Sequence, residues 1–358
     1  MNLPPLRIGE LISPIPIIQG GMGVGVSLSR LASSVANAGG IGIISGVQIG
    51  FREPDFETNN DDANVRGLKK EIRKARELSP TGILGVNLLV AINNYKDMVK
   101  AAVEEKIDII ISGAGLPTEL PALVKGSGTK IAPIVSSGKA AALIAKVWQR
   151  KFDYLPDMVI VEGPEAGGHL GFSMEELQKE EKPDLFSIVK EVIEALKPFR
   201  EASDKEIPVV AAGGIYDGNE IAKYLKIGAA GVQMATRFAA TDECDAHIKY
   251  KEAYINAEEE DIVLVKSPVG MPGRAIRNDF IKKLELDNIP ITKCYNCLKP
   301  CDPGKSPYCI STALINAVIG DVDNGLIFVG QNAHKLKKII PVKELMKELV
   351  NETLIALG

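Results

Sequence analysis

Residues 207–237 read IPVVAAGGIYDGNEIAKYLKIGAAGVQMATR. The run Ile207–Ala211 is apolar on both faces, as a strand covered by helices on each side must be. Gly213-Gly214 then allows a tight turn, and Asp217 offers a side-chain oxygen to cap the helix that the spacing predicts to Ile227. A second apolar run, Gly231–Met234, follows and leads into Ala235-Thr236-Arg237. Buried strand, glycine turn, helix and buried strand make a βαβ unit of a parallel sheet.

The same unit recurs along the chain. Ile15–Gln19, Ile41–Ile44, Ile83–Asn87, Asp108–Ser112, Lys130–Val135 and Met158–Glu162 are also read as strands. Helical spacing separates them at Leu28–Ala38, Asp62–Leu78, Lys96–Lys106, Thr118–Lys125, Gly138–Arg150 and Asp184–Arg200, with Ser27 as the cap expected for the first. Eight such units indicate an α/β fold, a (β/α)8 TIM barrel, with a doubly wound open sheet as the alternative. Residues 1–245 are assigned to the barrel. Residues 246–358 are assigned to an irregular and helical C-terminal extension packed on it, with helices at His247–Ala257, Ser311–Ile319 and Val342–Ala356. Lys266–Asn278, rich in proline and glycine, reads as irregular. Two charged insertions interrupt the rhythm. Phe51–Leu78 is read as a surface loop entering a solvated helix, and Ser173–Pro183 as either a lid over the strand ends or a plain surface insertion.

A net charge of −4 argues against a general grip on nucleic acid or anionic membranes. Residues 1–12 lack the basic start and apolar core of a signal peptide, and no long apolar run suggests a membrane span. Five cysteines, four of them within Cys294–Cys309, do not resemble a disulfide framework, so a reduced cytoplasmic protein is expected.

Glycine is in excess, 34 of 358 residues. The clusters fall after strands: Gly20-Gly21-Met22-Gly23 after the first, Gly163–Gly171 after the sixth, Gly213-Gly214 after the seventh, and Gly228 and Gly231 around the eighth. In a barrel these positions share the C-terminal face, where ligands bind. Backbone N–H groups at Gly213-Gly214 and Met234–Thr236, with the Thr236 hydroxyl, suit a phosphate. No Gly-x-Gly-x-x-Gly unit in Rossmann context and no Walker A motif occurs. A phosphorylated flavin therefore suits the pattern better than a dinucleotide. Of three histidines, His169 alone lies in a glycine-rich strand-end loop, where an imidazole can handle a proton near neutral pH. His247 and His334 read as surface or tail residues, and three scattered histidines give no metal spacing.

With these residues in hand, the chain resembles the nitronate monooxygenase (2-nitropropane dioxygenase-like) family, which is close to the FabK-type enoyl-acyl carrier protein reductases. The resemblance rests on Pro16–Gly23, Ala38–Ile44, Gly85-Val86-Asn87, Glu165–Gly171, Ala212–Ile215 and Gly231–Phe238, in family order. It implies an FMN-binding barrel oxidoreductase. By the resemblance, Gly21, Met22, Asn87, Ala166, Gly167 and Gly168 lie along the flavin. Gly213, Gly214, Met234, Ala235 and Thr236 hold its phosphate, and His169 is catalytic. Glu162 is added to the cofactor set, and a glutamate there is typical of the reductases; Ala246-His247 and Tyr250-Lys251 point the same way. Ala235 stands where the family usually has glycine. The leading expectation is oxidation of alkyl nitronates with O2. The alternative is an NAD(P)H-dependent enoyl thioester reductase. A non-catalytic FMN or phosphate barrel and a flavin-free isomerase or aldolase complete the field. A homodimer is a further possibility.

Cys294-x2-Cys297-x3-Cys301-x7-Cys309 has enough thiols for zinc or an iron–sulfur cluster. A reduced, turn-rich loop is the competing reading, and no metal is assigned.

Overall fold

The computed structural model describes residues 2–358. Eight parallel strands close into a barrel: β1 Ile17–Gln19, β2 Ile41–Ser45, β3 Ile83–Leu89, β4 Ile109–Gly113, β5 Lys130–Val135, β6 Val159–Glu162, β7 Val209–Ala212 and β8 Gly231–Met234. Each pairs with its neighbour in sequence, and β8 closes on β1 through Val232↔Ile17 and Met234↔Gln19. Closure excludes the open sheet. Helices α1 Ser29–Asn37, α2 Asn60–Leu78, α3 Tyr95–Glu104, α4 Leu120–Val124, α5 Gly138–Phe152, α6 Leu185–Ser203, α7 Gly218–Lys226 and α8 Thr236–Ala239 follow the strands in turn.

The strands are apolar on both faces because two cores need them. Ile18, Ile41, Ile43, Ile109, Ile111 and Ile160 fill the barrel interior, while the alternating residues meet the helices outside. A short hairpin not foreseen in the sequence, Leu6–Ile8 with Leu11–Ser13, sets Leu6 and Ile8 into the inner core.

Four expectations need correction. Asp217 does cap α7, accepting from Asn219 N (2.9 Å) and Glu220 N (3.0 Å). Ser27 does not cap α1; its Oγ accepts from Met22 N at 2.8 Å and braces the first glycine loop. The α1 terminus is served by Asp245, whose Oδ2 accepts from Leu28 N (2.8 Å) and Leu31 N (3.2 Å). Second, α2 is not a solvated helix: Leu68, Ile72 and Ala75 are buried in the outer core. Third, Lys266–Asn278 is not irregular. Strands Ile262–Lys266 and Pro272–Ile276 form an antiparallel pair there, which the intervening glycine and proline concealed. Fourth, Ser173–Pro183 is not a lid. It carries a short helix, Met174–Gln178, whose Leu177 packs outside the histidine loop against Ala166 and Leu170, and it does not line the cavity.

The extension also holds helices Ile248–Asn256, Asp279–Leu286, Ile310–Ile319 and Val342–Leu357. The last lies on α7, where Glu352 Oε2 accepts from Gly218 N at 2.8 Å. Among the described residues no helix is long and apolar enough to cross a membrane.

Candidate active site

One cavity of ≈ 380 Å³ opens at the C-terminal ends of the strands. All thirteen site residues expected from the sequence line it. Gly21, Met22 and Asn87 come from the ends of β1 and β3; Glu162, Ala166, Gly167, Gly168 and His169 follow β6; Gly213, Gly214, Met234, Ala235 and Thr236 follow β7 and β8.

The glycines let these loops stack. A Cβ on Gly21 would stand 2.4 Å from Asn87 Cβ, and one on Gly167 2.6 Å from the Val329 carbonyl carbon. Gly213 and Gly214 have φ of +94° and +84°, and a Cβ on Gly214 would meet Glu165 Oε2 at 2.4 Å. Only glycine accepts both conditions.

His169 is fixed by the extension. Gly168-His169 is a two-residue strand paired with Gly273 and Arg274. The imidazole Nε2 lies 2.7 Å from Ser267 Oγ, and the ring packs edge-on against Phe328 with centroids 5.1 Å apart. Burial lowers its pKa to about 4, so the ring is neutral at pH 7 and able to accept a proton. Glu162, at the end of β6, moves the other way: burial pushes its carboxyl up to about 7.

Several residues were missed because they are distant in sequence and carry no motif. The Arg274 guanidinium is buried and donates to Pro164 O (2.8 Å) and Ala166 O (2.6 Å), clamping the glycine loop from below. Gly330 N donates to Thr236 Oγ1 (3.2 Å) and Asn332 Nδ2 to Gly214 O (2.6 Å), so residues 330–332 close the cavity beside Gly214 and Thr236. Gln233 Oε1 is buried in the cavity wall without a partner. Tyr250 lines the cavity with Tyr254, but Lys251 does not; its ammonium is buried on Thr241 O (2.8 Å) and Asp242 O (3.0 Å).

Burial raises the pKa of Cys297, and Cys309 and Cys301 raise it further. Among the described residues no group of three or more His, Cys, Asp or Glu is placed to hold a metal ion. Cys297 lines the cavity, and Ser311 Oγ donates to its sulfur at 3.1 Å; Cys294 is exposed.

The sequence model of the family described as nitronate monooxygenase matches residues 7–352. The chain belongs to the nitronate monooxygenase family. It is an oxidoreductase on a TIM barrel. A FabK structure from Thermotoga maritima has 31% sequence identity and a TM-score of 0.73, over 96% of this chain and 94% of that one. A Rhodococcus jostii (3aS,4S,5R,7aS)-5-hydroxy-7a-methyl-1-oxo-octahydro-1H-indene-4-carboxyl-CoA dehydrogenase is 30% identical over 75% of this chain, which spans 65% of that relative's length. A probable nitronate monooxygenase of Staphylococcus aureus strain Newman is 24% identical over 97% of this chain and 96% of its own.

Proposed function

We propose that this family member binds FMN and that His169 handles the proton of a substrate lying against it, with alkyl nitronates oxidised by O2 as the first substrate class. The observation that carries the reading is the neutral, Ser267-anchored His169 at the wall of a glycine-built cradle. The cradle suits FMN on its own terms. Side chains are absent at Gly21, Gly167, Gly213 and Gly214, so backbone can approach a flat ring and a phosphate, and the partnerless Gln233 Oε1 can accept from a ring N–H.

Gly213, Gly214, Ala235 and Thr236 would hold the phosphate; Gly21, Met22, Asn87, Ala166, Gly167 and Gly168 would lie along the ring. When bound, the flavin supplies a two-electron acceptor or donor. The Ser267 hydroxyl holds His169 Nε2, so Nδ1 is the nitrogen left to take or give the substrate proton. Phe328, Tyr250 and Tyr254 keep the wall apolar around that proton.

A second reading, reduction of an enoyl thioester by NAD(P)H, is favoured by two observations. The cavity continues past the cradle along Leu89, Ile92, Leu116, Leu298 and Leu314, more apolar length than a small nitronate needs. The FabK structure and the carboxyl-CoA dehydrogenase match at 31% and 30% identity, which adds weight. Anaerobic mixing with each donor tests both: bleaching of the yellow protein by propyl-2-nitronate but not NADH supports the first, and the reverse with crotonyl thioester turnover supports the second. Colourless protein that FMN cannot reconstitute sinks both.

A further inference from the structure

Across the mouth from His169 the cavity ends in a polar corner that the proposed chemistry leaves unused. In the eight-stranded ring β2 stands opposite β6, so the loop after β2 and the start of α2 face the histidine loop. Asn60, the first residue of α2, and Asn94, just before α3, both line this side. The Nδ2 donors of both are buried and have no partner. A buried donor without an acceptor is destabilising, and two in one wall call for an acceptor.

The Asn60 amide is not free to turn the problem away. Asn60 Oδ1 accepts from Asn64 Nδ2 at 3.1 Å. Asn64 Nδ2 also donates to Gln48 Oε1 (2.8 Å), and Gln48 Nε2 donates to Ser311 Oγ (2.9 Å). That chain holds the Asn60 oxygen, which leaves its NH2 as the group on offer. Asn94 sits where an asparagine side chain usually caps the next helix, yet it makes no capping bond to α3.

Charge selects among acceptors. Asp61 lines the same corner, and its pKa is raised by burial and then by Asp62 and Asp97. Another carboxylate or a phosphate would meet like charge there, whereas a neutral carbonyl oxygen would not.

We propose that Asn60 and Asn94 form a second polar subsite, which takes the neutral carbonyl oxygen of an amide or ester on the substrate's tail while the reacting carbon lies at His169. The preferred substrate is then an extended molecule: a redox-active head, an apolar stretch, and a carbonyl-bearing tail. This rests on the reading of the cavity as the active site with an enoyl thioester as the head group.

The test uses purified flavin-loaded protein and two probes, the crotonyl thioester of N-acetylcysteamine and crotonyl ethyl thioester, which lacks the amide. Binding is measured by titration calorimetry without turnover. The wild type is expected to hold the amide-tailed probe about tenfold tighter, the worth of about one good hydrogen bond. Asn60→Leu and Asn94→Leu each reduce that ratio several-fold, and the near-isosteric Asn94→Asp does the same by replacing donors with acceptors. No preference in the wild type, no binding of either probe, or equal weakening of both probes in folded variants overturns the proposal. Asn94→Asp guards against misfolding in the leucine variants, as its melting temperature reports. Failure of the His169 reading is separable: His169→Asn with undiminished turnover removes that role and leaves the two-probe ratio unaffected.

Discussion

The two sides of the barrel mouth are built from different materials. After β6, β7 and β8 the wall is backbone: Gly167, Gly168, Gly213 and Gly214 bring main-chain groups to the cavity. After β2 and β3 it is side chain: Gln48, Asn60, Asn64 and Asn94, joined by Ser311 and Cys297 from the extension. At Gly167, Gly213 and Gly214 the first side has no room for added atoms, because its loops stack on one another. The second depends on hydrogen-bond partners that can be exchanged without crowding. One side is therefore suited to a fixed group common to the family, and the other to whatever distinguishes this chain's substrate.

That contrast can be broken at its strongest point first. His169→Asn should cut the rate of anaerobic flavin reduction by about 10²–10⁴, the usual worth of a positioned acid or base; an unchanged stopped-flow rate removes the histidine from the chemistry. Next in size, Arg274→Met should lower unfolding free energy by about 1.5–3 kcal/mol, since two buried carbonyls lose a charged donor. Urea titration measures it, and a midpoint within error of wild type would show that the glycine loop holds itself. Gly214→Ala should cost about 1–3 kcal/mol by overpacking against Glu165 and should release the cofactor on gel filtration. Retention of full yellow colour would mean that the backbone side is less rigid than its geometry implies.

Smaller effects sharpen the comparison. Burial raises the Glu162 carboxyl to about 7, from an ordinary value near 4.5. The folded state therefore holds this proton more tightly than the unfolded chain. The associated stability is complete below about pH 4.5 and is lost as pH rises through 7. Glu162→Gln should match wild type at low pH and gain on it between pH 5 and 8; parallel melting curves would place the carboxyl in water. Last, Cys294→Ser, at an exposed position, should shift stability by less than about 0.5 kcal/mol. Fresh, anaerobically purified protein should carry only traces of zinc or iron, because among the described residues no three ligand side chains are placed to hold a metal ion. Stoichiometric metal would reverse that assignment.

The same contrast governs what could be read from the sequence. All eight barrel strands and the glycine side were legible, because a doubly buried strand and a glycine turn each leave a contiguous mark, as in residues 207–237. His169 stood out for the same reason, being embedded in Gly163–Gly171. The amide side was not legible. Residues 48, 60, 64, 94, 297 and 311 meet only after folding, and asparagine is common in loops. Pro272–Ile276 was obscured by its own composition, since a proline at the first residue of a strand, followed by glycine, looks like a turn. Asp245, far from α1 in sequence, displaced Ser27 as its cap for an equally non-local reason.

The two-residue strand Gly168-His169 has no partner within the barrel; its ladder is completed by Gly273 and Arg274. An engineer who trimmed the chain to its eight βα units would keep every barrel strand and discard the mould in which the histidine is cast. Ser267, Arg274 and Phe328 would leave together, and the loop would present a bare edge. The barrel of this protein is thus a frame that cannot be transplanted alone, and grafts of its activity onto another barrel would have to carry residues 262–332 as well.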